Sequence, residues 1–361
     1  MNAPSMNTER RLQKLREAIE REGLDALLVT HPSNRRYLTG FTGSAGMVLV
    51  TADRALLLVD FRYETQAKEQ AARGVEVIRH GDSAIRTAKE ELARSGARKV
   101  GFEQQHVTYG EYRKFAEELG PGIELAPTDG FVERLRRVKD EAELAVLRRA
   151  VEIADRAFEH ILTVLRPGIS ERDVALELEM CMRRLGAKSS SFDIIVASGE
   201  RSALPHGTAS GRIIGRDEFV KLDFGALYDG YCSDLTRTVV VGKPSEKHRE
   251  IYGIVLEAQR KAIAGIRAGI TGKEGDALAR DVIAAAGYGD CFGHGTGHSV
   301  GLDIHENPRL SRLDDTVLEP GMVLTVEPGI YLPGFGGVRI EDIVVVREDG
   351  CEVLTRARKD L

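Results

Sequence analysis

The segment GHGTGHSVGLDIHE at residues 293–306 holds three histidines and four glycines within fourteen positions. Its first two histidines, His294 and His298, have the separation of the two zinc ligands in the helical HExxH motif of metalloproteases. Gly295 stands where that motif needs its glutamate, and each glycine costs a helix about 1 kcal/mol relative to alanine. Glycines at every second position instead predict an extended segment, with the histidines on one face and close backbone approach on the other.

The distance between the two histidines separates their roles. Regular extended geometry places His294 and His298 about 13 Å apart, because a strand advances about 6.6 Å over two residues. The two imidazoles therefore cannot bind one ion in that geometry. We expect one of them to bind a metal ion and the other to meet a substrate.

Four carboxylates lie in strand-like segments elsewhere in the chain. Asp223 is predicted near the end of one strand and Asp234 in the next, with a turn at residues 226–230 between them. Adjacent antiparallel strands could bring both together, but for these two alone a pair of surface or turn aspartates is the favoured interpretation. Glu327 and Glu341 stand in otherwise apolar strands. Isolated carboxylates buried there would be costly without a cation or a proton.

These donors together favour a pair of divalent cations. Four carboxylates carry four negative charges, which two divalent ions would neutralise. A set rich in oxygen with a single imidazole suits Mn²⁺, Fe²⁺ or Co²⁺ better than a structural Zn²⁺ site, although affinity alone does not exclude zinc. Paired ions of this kind generate hydroxide near neutral pH, so the residue types predict metal-assisted hydrolysis. Strand alternation places Arg339 beside Glu341 on one face, and we expect the neighbouring Asp342 to be solvated.

The elements that position these residues fall into two regions. Strands and helices alternate up to about residue 130, including a helix at residues 7–22 and a hairpin of GMVLVT with ALLLVD, which predicts an α/β N-terminal domain at residues 1–132. From residue 138, long helices and long hairpins occur in separate runs. That pattern predicts an α+β domain at residues 133–361.

Composition excludes several classes of function. A net charge of -5 and a pI near 6.1 give no support for a nucleic-acid or anionic-membrane partner. The apolar runs are strand-sized, and the N-terminus lacks the apolar stretch of a signal peptide. The four cysteines form no CxxC pair, which is typical of reduced thiols in a cytoplasmic protein. We therefore expect a cytoplasmic protein without a membrane or nucleic-acid partner.

Four motifs in order resemble one enzyme family: LDFGALYDGYCSDLTRT, GHGTGHSVGLDIHE, TVEPGIY and RIED. They resemble the "pita-bread" metallopeptidases of family M24 over roughly residues 140–355. The upstream YLTGFTGSAG and the helix VKDEAELAVLRRA resemble the Xaa-Pro branch of that family, which comprises aminopeptidase P and prolidase. The resemblance implies a creatinase-like α/β N-terminal domain followed by an α+β pita-bread catalytic domain.

The resemblance implies two divalent ions per subunit, held by five ligands. Asp234 and Glu341 would bridge the ions, Asp223 would complete one site, and His298 with Glu327 would complete the other. Mn²⁺ is the expected ion, with Co²⁺, Fe²⁺ and Zn²⁺ as alternatives. His31, His80, His106, His160 and His248 match no motif, and we expect them to be structural or exposed.

The resemblance also implies a set of catalytic residues, namely Glu327, His305, His206, His294 and Arg339. Glu327 would relay the proton of the attacking water. His305 would hydrogen-bond the tetrahedral intermediate or shuttle protons, with a pKa near the working pH. His206 and His294 would face the substrate, and Arg339 would orient Glu341 or the carboxyl side of the substrate.

The predicted function is an Xaa-Pro aminopeptidase that removes the residue preceding proline from short peptides. The alternative is a dipeptidase restricted to Xaa-Pro, the activity of prolidase. A non-catalytic pita-bread binding module is disfavoured because every ligand position is filled. The specificity for proline and a homodimer or larger homo-oligomer are implied by the resemblance alone.

Overall fold

The computed structural model describes residues 7–361. Contacts divide this part of the chain into two compact units, one ending at Arg136 and the other running from Arg137 to Leu361. No helix among residues 7–361 combines the length and the apolar character needed to cross a membrane.

The first unit contains a mixed six-stranded sheet. Its strands are β1 (Ala26–Val29), β2 (Met47–Thr51), β3 (Ala55–Val59), β4 (Glu76–Arg79), β5 (Lys99–Glu103) and β6 (Glu124–Thr128), in the spatial order β4-β3-β2-β1-β5-β6. The pairs β1–β2 and β2–β3 are antiparallel and the other three are parallel. The helices are α1 (Thr8–Arg21), α2 (Pro32–Thr39), α3 (Glu64–Gln70), α4 (Ala84–Ser95), α5 (Tyr109–Leu119) and α6 (Phe131–Arg136). The predicted N-terminal helix and the hairpin of β2 and β3 are confirmed.

Three elements of this unit, α2, β6 and α6, were not predicted from the sequence. The buried residues of α2 include Asn34 and Arg35, and Arg35 donates hydrogen bonds to the carbonyls of Gly43 and Gly46. Polar groups on a buried face remove the apolar periodicity that marks a helix. Pro127 lies within β6, which is an edge strand, where a missing N–H is tolerated.

The second unit combines long helices with antiparallel hairpins. Its helices are α7 (Glu141–Val164), α8 (Glu171–Arg184), α9 (Glu246–Gly265) and α10 (Gly272–Ala285). The strands begin with β7 (Ser189–Ser190), β8 (Ile195–Ser198), β9 (Glu218–Phe224), β10 (Ala226–Tyr228), β11 (Tyr231–Cys232) and β12 (Leu235–Val241). They continue with β13 (Gly297–Ser299), β14 (Glu306–Leu310), β15 (Val323–Val326), β16 (Gly329–Leu332), β17 (Gly336–Arg339), β18 (Asp342–Arg347) and β19 (Gly350–Val353).

Two apolar cores divide this unit into halves. The strand orders are β12-β9-β8, β11-β10-β7, β14-β13-β15-β18-β19 and β16-β17. Helices α7 and α8 share one core with β8, β9 and β12, through residues such as Phe158 and Leu222. Helices α9 and α10 share the other with β15 and β18, through residues such as Val255 and Leu324. Separate helix and hairpin layers confirm the predicted α+β class.

The expectation that Asp342 is solvated is wrong. Asp342 is fully buried at the start of β18. It accepts a hydrogen bond of 2.8 Å from Arg237 and one of 2.7 Å from Gln259, and it is also paired with Lys359. A buried carboxylate is tolerated where cations and hydrogen-bond donors surround it. The alternation of residues along one strand does not reveal those partners.

Candidate metal centre

The four predicted carboxylates lie at the ends of strands or in the gaps between them. Asp223 is the next-to-last residue of β9, as predicted. Asp234 lies between β11 and β12, Glu327 between β15 and β16, and Glu341 between β17 and β18. The predicted strand positions of these last three are therefore wrong. A break in a strand changes the alternation of its side chains, so consecutive hairpins can direct several carboxylates to one point.

Threonine hydroxyls on β12 connect the two halves at this point. Asp223 on β9 pairs in register with Thr236 on β12. The Thr236 hydroxyl donates to Glu341 over 2.7 Å, and the backbone N–H of Glu341 donates to the Thr236 carbonyl over 3.1 Å. Thr238, two residues further along, accepts from the backbone N–H of Arg339 and donates to its carbonyl. The carboxylates of both halves are thus fixed relative to one another.

His298 on β13 contributes the nitrogen ligand of this cluster. Its Nε2 atom lies 3.5 Å from Asp234 Oδ2 and 3.4 Å from Glu327 Oε1. Its Nδ1 atom lies 3.1 Å from the carbonyl of Ser299. A proton on Nδ1 donated to that carbonyl leaves the Nε2 lone pair directed at the carboxylates, which is how metal-binding histidines are usually oriented. One ligand atom each from Asp234, His298 and Glu341 lie within 4.8 Å of one another.

Two of the glycines beside His298 allow the close backbone approach that the sequence predicts. A Cβ atom on Gly297 would lie 1.9 Å from the carbonyl oxygen of Thr325, and one on Gly295 would lie 2.7 Å from that of Leu310. The site of a Cβ on Gly293 is open. The prediction of an extended segment is confirmed for residues 297–299, which form a strand, whereas His294 and Thr296 lie at bends.

Burial makes the carboxylates of this cluster costly to charge without a cation or a proton. Burial and the neighbouring carboxylates raise the pKa of Asp234 and of Glu341 well above their usual range, and burial raises that of Glu327 to about 7. Burial also lowers the pKa of His298 to about 3, which keeps its imidazole neutral. Glu341 Oε1 and Asp223 Oδ1 are buried without a hydrogen-bond partner in the described chain. Buried carboxylate oxygens without donors and a neutral imidazole fit divalent cations.

His294 takes part in a separate chain of contacts. Its Nε2 atom lies 2.8 Å from the hydroxyl of Tyr331. That hydroxyl accepts from Arg339 over 2.7 Å, and the same guanidinium group is paired with Asp223. Burial lowers the pKa of His294 to about 3. The predicted separation of the two histidines into different roles agrees with this geometry.

Arg339 contacts Asp223 directly, whereas its link to Glu341 runs through Thr236. Its Nε atom donates to the Thr236 hydroxyl over 3.1 Å and lies 3.8 Å from Glu327 Oε2. Burial lowers the pKa of Arg339, but Tyr331 and then the surrounding carboxylates raise it well above its usual value. Arg339 thus reaches Glu341 only through the intervening threonine, and its role in orienting Glu341 or the carboxyl side of the substrate stays a prediction.

All nine sequence-predicted site residues line one cavity of about 740 Å³: Asp223, Asp234, His298, Glu327, Glu341, His206, His294, His305 and Arg339. The ring of His305 stands edge-on to that of His298, with 4.5 Å between the centroids. Burial and then Arg309 lower the pKa of His305. His206 lies in the exposed loop that follows a 3₁₀ turn at Gly199–Ala203.

Four further residues at the site were not predicted from the sequence: Thr236, Lys221, Tyr331 and Arg309. Thr236 and Tyr331 act through hydroxyl groups, which no charge pattern reveals. Lys221 carries a signal in the sequence, because a lysine inside the apolar strand EFVKLDF is expensive to bury without a partner. Arg309 lies directly across the β13–β14 pair from His298. This relationship can be recognised only when the pairing register of the two strands is known.

Comparison with known proteins agrees with this fold. Residues 145–348 match metallopeptidase family M24, and residues 11–138 match the creatinase/prolidase N-terminal domain. The chain therefore belongs to metallopeptidase family M24 and is a hydrolase. The predicted family, the fold class and the assignment as a metallopeptidase are confirmed.

Three relatives cover nearly the whole chain. A solved structure described as an Xaa-Pro dipeptidase from Bacillus anthracis is 53% identical, with a TM-score of 0.96, covering 98% of this chain and 99% of the other. The Xaa-Pro dipeptidase of Pyrococcus horikoshii is 42% identical, covering 97% of this chain and 98% of that protein. An X-Pro aminopeptidase structure from Thermotoga maritima is 40% identical, with a TM-score of 0.88, covering 95% and 99% of the two chains.

Proposed function

We propose that this protein is an Xaa-Pro dipeptidase that uses two divalent metal ions. The observation that carries the proposal is the cluster of carboxylates around His298, two of whose buried oxygens lack a hydrogen-bond donor. The proposed ligands are Asp223, Asp234, His298, Glu327 and Glu341. The predicted aminopeptidase becomes the second candidate, because relatives described as dipeptidases match this chain at higher identity.

The metal ions would supply an activated water and a positive charge for the oxygen of the scissile carbonyl. The residues of the chain supply the rest. Glu327, at 3.4 Å from His298 and at the cavity wall, would take the proton of the attacking water and pass it to the leaving proline nitrogen. His305, His206 and His294 would contact the substrate, and Arg339 would hold Asp223 in place through their ion pair.

Arg309 supports the dipeptidase in preference to the aminopeptidase. It is an exposed residue of β14 that lines the cavity opposite His298, and cross-strand partners project from the same face of a sheet. Its guanidinium group has no carboxylate within ion-pairing distance in residues 7–361. A guanidinium group in this position is suited to bind the free C-terminal carboxylate of a dipeptide. In a longer peptide the C-terminal carboxylate would lie further from the scissile bond.

Hydrolysis rates for Gly-Pro, Gly-Pro-Leu and Gly-Pro amide test this proposal. A dipeptidase that recognises the terminal carboxylate is expected to cleave Gly-Pro and to lose activity on the other two. Equal rates for Gly-Pro and Gly-Pro-Leu would establish the aminopeptidase, the activity by which the Thermotoga maritima relative is described. No hydrolysis of any of the three by metal-loaded protein would contradict both candidates.

The remaining predictions extend the same proposal. The family resemblance leaves three further predictions: Mn²⁺ as the preferred ion, a homodimer or larger homo-oligomer, and short substrates with proline in the second position. We also propose that the predicted domains at residues 1–132 and 133–361 correspond to a domain without catalytic residues and a catalytic domain. All nine proposed site residues lie in the second of these.

A further inference from the structure

Lys221 is a fully buried lysine whose amino group contacts three carbonyl oxygens of one loop. It lies in β9, and its side chain is shielded from solvent. Its Nζ atom is 3.2 Å from the carbonyl of Ser202, 2.5 Å from that of Leu204 and 3.2 Å from that of Pro205. The residue that follows Pro205 is His206, which lines the cavity.

This position is expensive for a lysine. Burial, followed by the nearby Arg339 guanidinium group, lowers the pKa of Lys221 to about 6. The three carbonyl acceptors satisfy the N–H bonds of the Lys221 amino group. These hydrogen bonds offset the cost of burying a polar group. Because Lys221 makes three such hydrogen bonds, it holds the loop backbone at three points.

The loop needs this internal anchor because its outer side is open. The side chain of Leu204 is half exposed, and His206 is exposed. The Ser202 hydroxyl accepts from the N–H of Gly337 over 2.8 Å, which ties only the start of the loop. Beyond Ser202, the Leu204 carbonyl is held by Lys221 together with the Gly207 N–H over 3.2 Å, and that of Pro205 by Lys221 together with Arg339 over 3.1 Å.

We propose that Lys221 is a positioning residue that holds the loop at residues 202–205 in place and so keeps His206 in the cavity. Its functional consequence rests on the proposed peptidase activity, whereas its effect on the loop does not. If Lys221 were removed, the Ser202 carbonyl would lose this donor, the Leu204 carbonyl would keep only the Gly207 N–H, and the Pro205 carbonyl would keep only Arg339. The weakly held loop would then rearrange to bring these carbonyls to water. His206 would then leave its position even though its own side chain is intact.

Two other roles for Lys221 make different predictions. A purely structural lysine would lower stability without affecting catalysis through His206. A lysine that acts through Tyr331, whose ring centroid lies 5.1 Å from Nζ, would affect catalysis independently of His206. Only a positioning role makes the effect of Lys221 depend on the presence of the His206 imidazole.

A double-mutant cycle on Gly-Pro hydrolysis distinguishes these roles. Lys221→Met and His206→Ala are each expected to lower kcat/KM about 10-fold to 100-fold, because displaced substrate-contacting groups cost losses of this order. The double variant should lie within about threefold of His206→Ala alone. If the loss of kcat/KM in the double variant equalled the product of the two single losses, the proposal would be overturned.

Lys139→Met provides the matched control. Lys139 is the other buried lysine near the cavity, and its Nζ atom contacts Ser299 and Glu306, each over 3.1 Å, rather than the loop of His206. Its effect should therefore multiply with that of His206→Ala. If Lys139→Met showed the same non-additivity as Lys221→Met, the coupling would be general and the proposal would fail.

Amide hydrogen exchange separates a failure of this proposal from a failure of the proposed function. Lys221→Met should speed exchange at Gly207, whose N–H donates to Leu204 over 3.2 Å, and leave exchange in α7 unchanged. This readout applies even if the protein cleaves no Xaa-Pro peptide. Unchanged exchange at Gly207 would overturn the proposal. If Lys221→Met does not fold, Lys221→Gln, which retains two N–H donors, is subjected to the same measurements and the same criteria.

Discussion

The Thr236 hydroxyl donates to Glu341 over 2.7 Å and accepts from Arg339 over 3.1 Å. One buried threonine on β12 thus orients a proposed metal ligand and connects it to the arginine that is paired with Asp223. Loss of a group that holds a metal ligand in place typically costs about 10-fold to 100-fold in metal affinity or activity.

Thr236→Val is therefore expected to weaken metal binding about 10-fold to 100-fold without unfolding the protein. Valine fills the same space but leaves Glu341 without its donor. Isothermal titration of the metal-free variant with Mn²⁺ measures the change. Thr238→Val is the matched control, because Thr238 contacts only the backbone of Arg339. Equal affinities for wild type and Thr236→Val would contradict this role.

Asp234→Asn is expected to abolish activity while stabilising the metal-free fold. Burial and three neighbouring carboxylates raise the pKa of Asp234, so a neutral isostere relieves repulsion that ions would otherwise balance. His298→Ala should also abolish activity without unfolding the protein. Turnover assays and thermal melting after metal removal test both variants. Full turnover by either one would refute the ligand assignment.

Asp342→Asn provides the contrast for that experiment. Asp342 is as buried as Asp234 but is paired with Arg237 and Lys359. Removing its charge leaves these cations unbalanced, which is expected to cost about 3 kcal/mol of stability. A melting temperature that falls in Asp342→Asn but not in Asp234→Asn separates structural carboxylates from those that hold metal ions.

The metal-free protein is expected to lose stability as the pH rises through about 7. Burial raises the pKa of Asp234 and Glu341 and brings that of Glu327 to about 7. Such groups add stability while protonated and lose that contribution as the pH rises through the folded pKa. His294 and His298, whose pKa burial lowers to about 3, act in the opposite direction, but only below their ordinary value of 6.5.

The two effects oppose one another from about pH 4.5 to 6.5, and only the carboxylates act above that window. Thermal melting of the metal-free protein between about pH 6.5 and 8 should show the decline. Glu327→Gln should make the decline of the melting temperature shallower. Saturating Mn²⁺ should remove the decline, because bound cations would neutralise the carboxylates in place of protons. A melting temperature that rises over this range would contradict the predicted burial of the carboxylates.

Gly297→Ala is expected to destabilise the protein by about 1–3 kcal/mol, the usual cost of forcing an extra methyl group into a packed site. The added Cβ would lie 1.9 Å from the Thr325 carbonyl oxygen, so β13 would have to move away from β15. Gly293→Ala is the control, because its Cβ would meet no atom within 4 Å. Urea unfolding of the metal-free proteins measures both changes. Equal stability of the two variants would contradict the close approach.

Residue types and spacing predicted four carboxylates and one imidazole as candidate metal ligands. Glu327 and Glu341 follow apolar runs, where a carboxylate is unusual, and the glycine spacing distinguishes the segment of His294 and His298 from a zinc helix. These are local signals of burial and backbone approach. The motif resemblance then identified which substrate-side histidines belong with them.

The relationships that organise the site depend on strand pairing. Thr236 faces Glu341 only because β12 lies beside the β17–β18 junction, and Arg309 faces the cavity only because it pairs with His298. Asp342 is adjacent to Glu341 in sequence, yet its partners come from β12, α9 and the C-terminal segment. A single sequence does not reveal such distant partners.

Titration of the metal-stripped protein with Mn²⁺, monitored at once by calorimetry and by Gly-Pro hydrolysis, tests the central claim most directly. The structure and the family together predict that two ions bind per chain and that hydrolysis appears as they bind. Asp234→Asn should lose both responses. Gly-Pro hydrolysis at the full rate by stripped protein, or no binding of Mn²⁺, Co²⁺, Fe²⁺ or Zn²⁺ by the wild type, would contradict the two-metal dipeptidase.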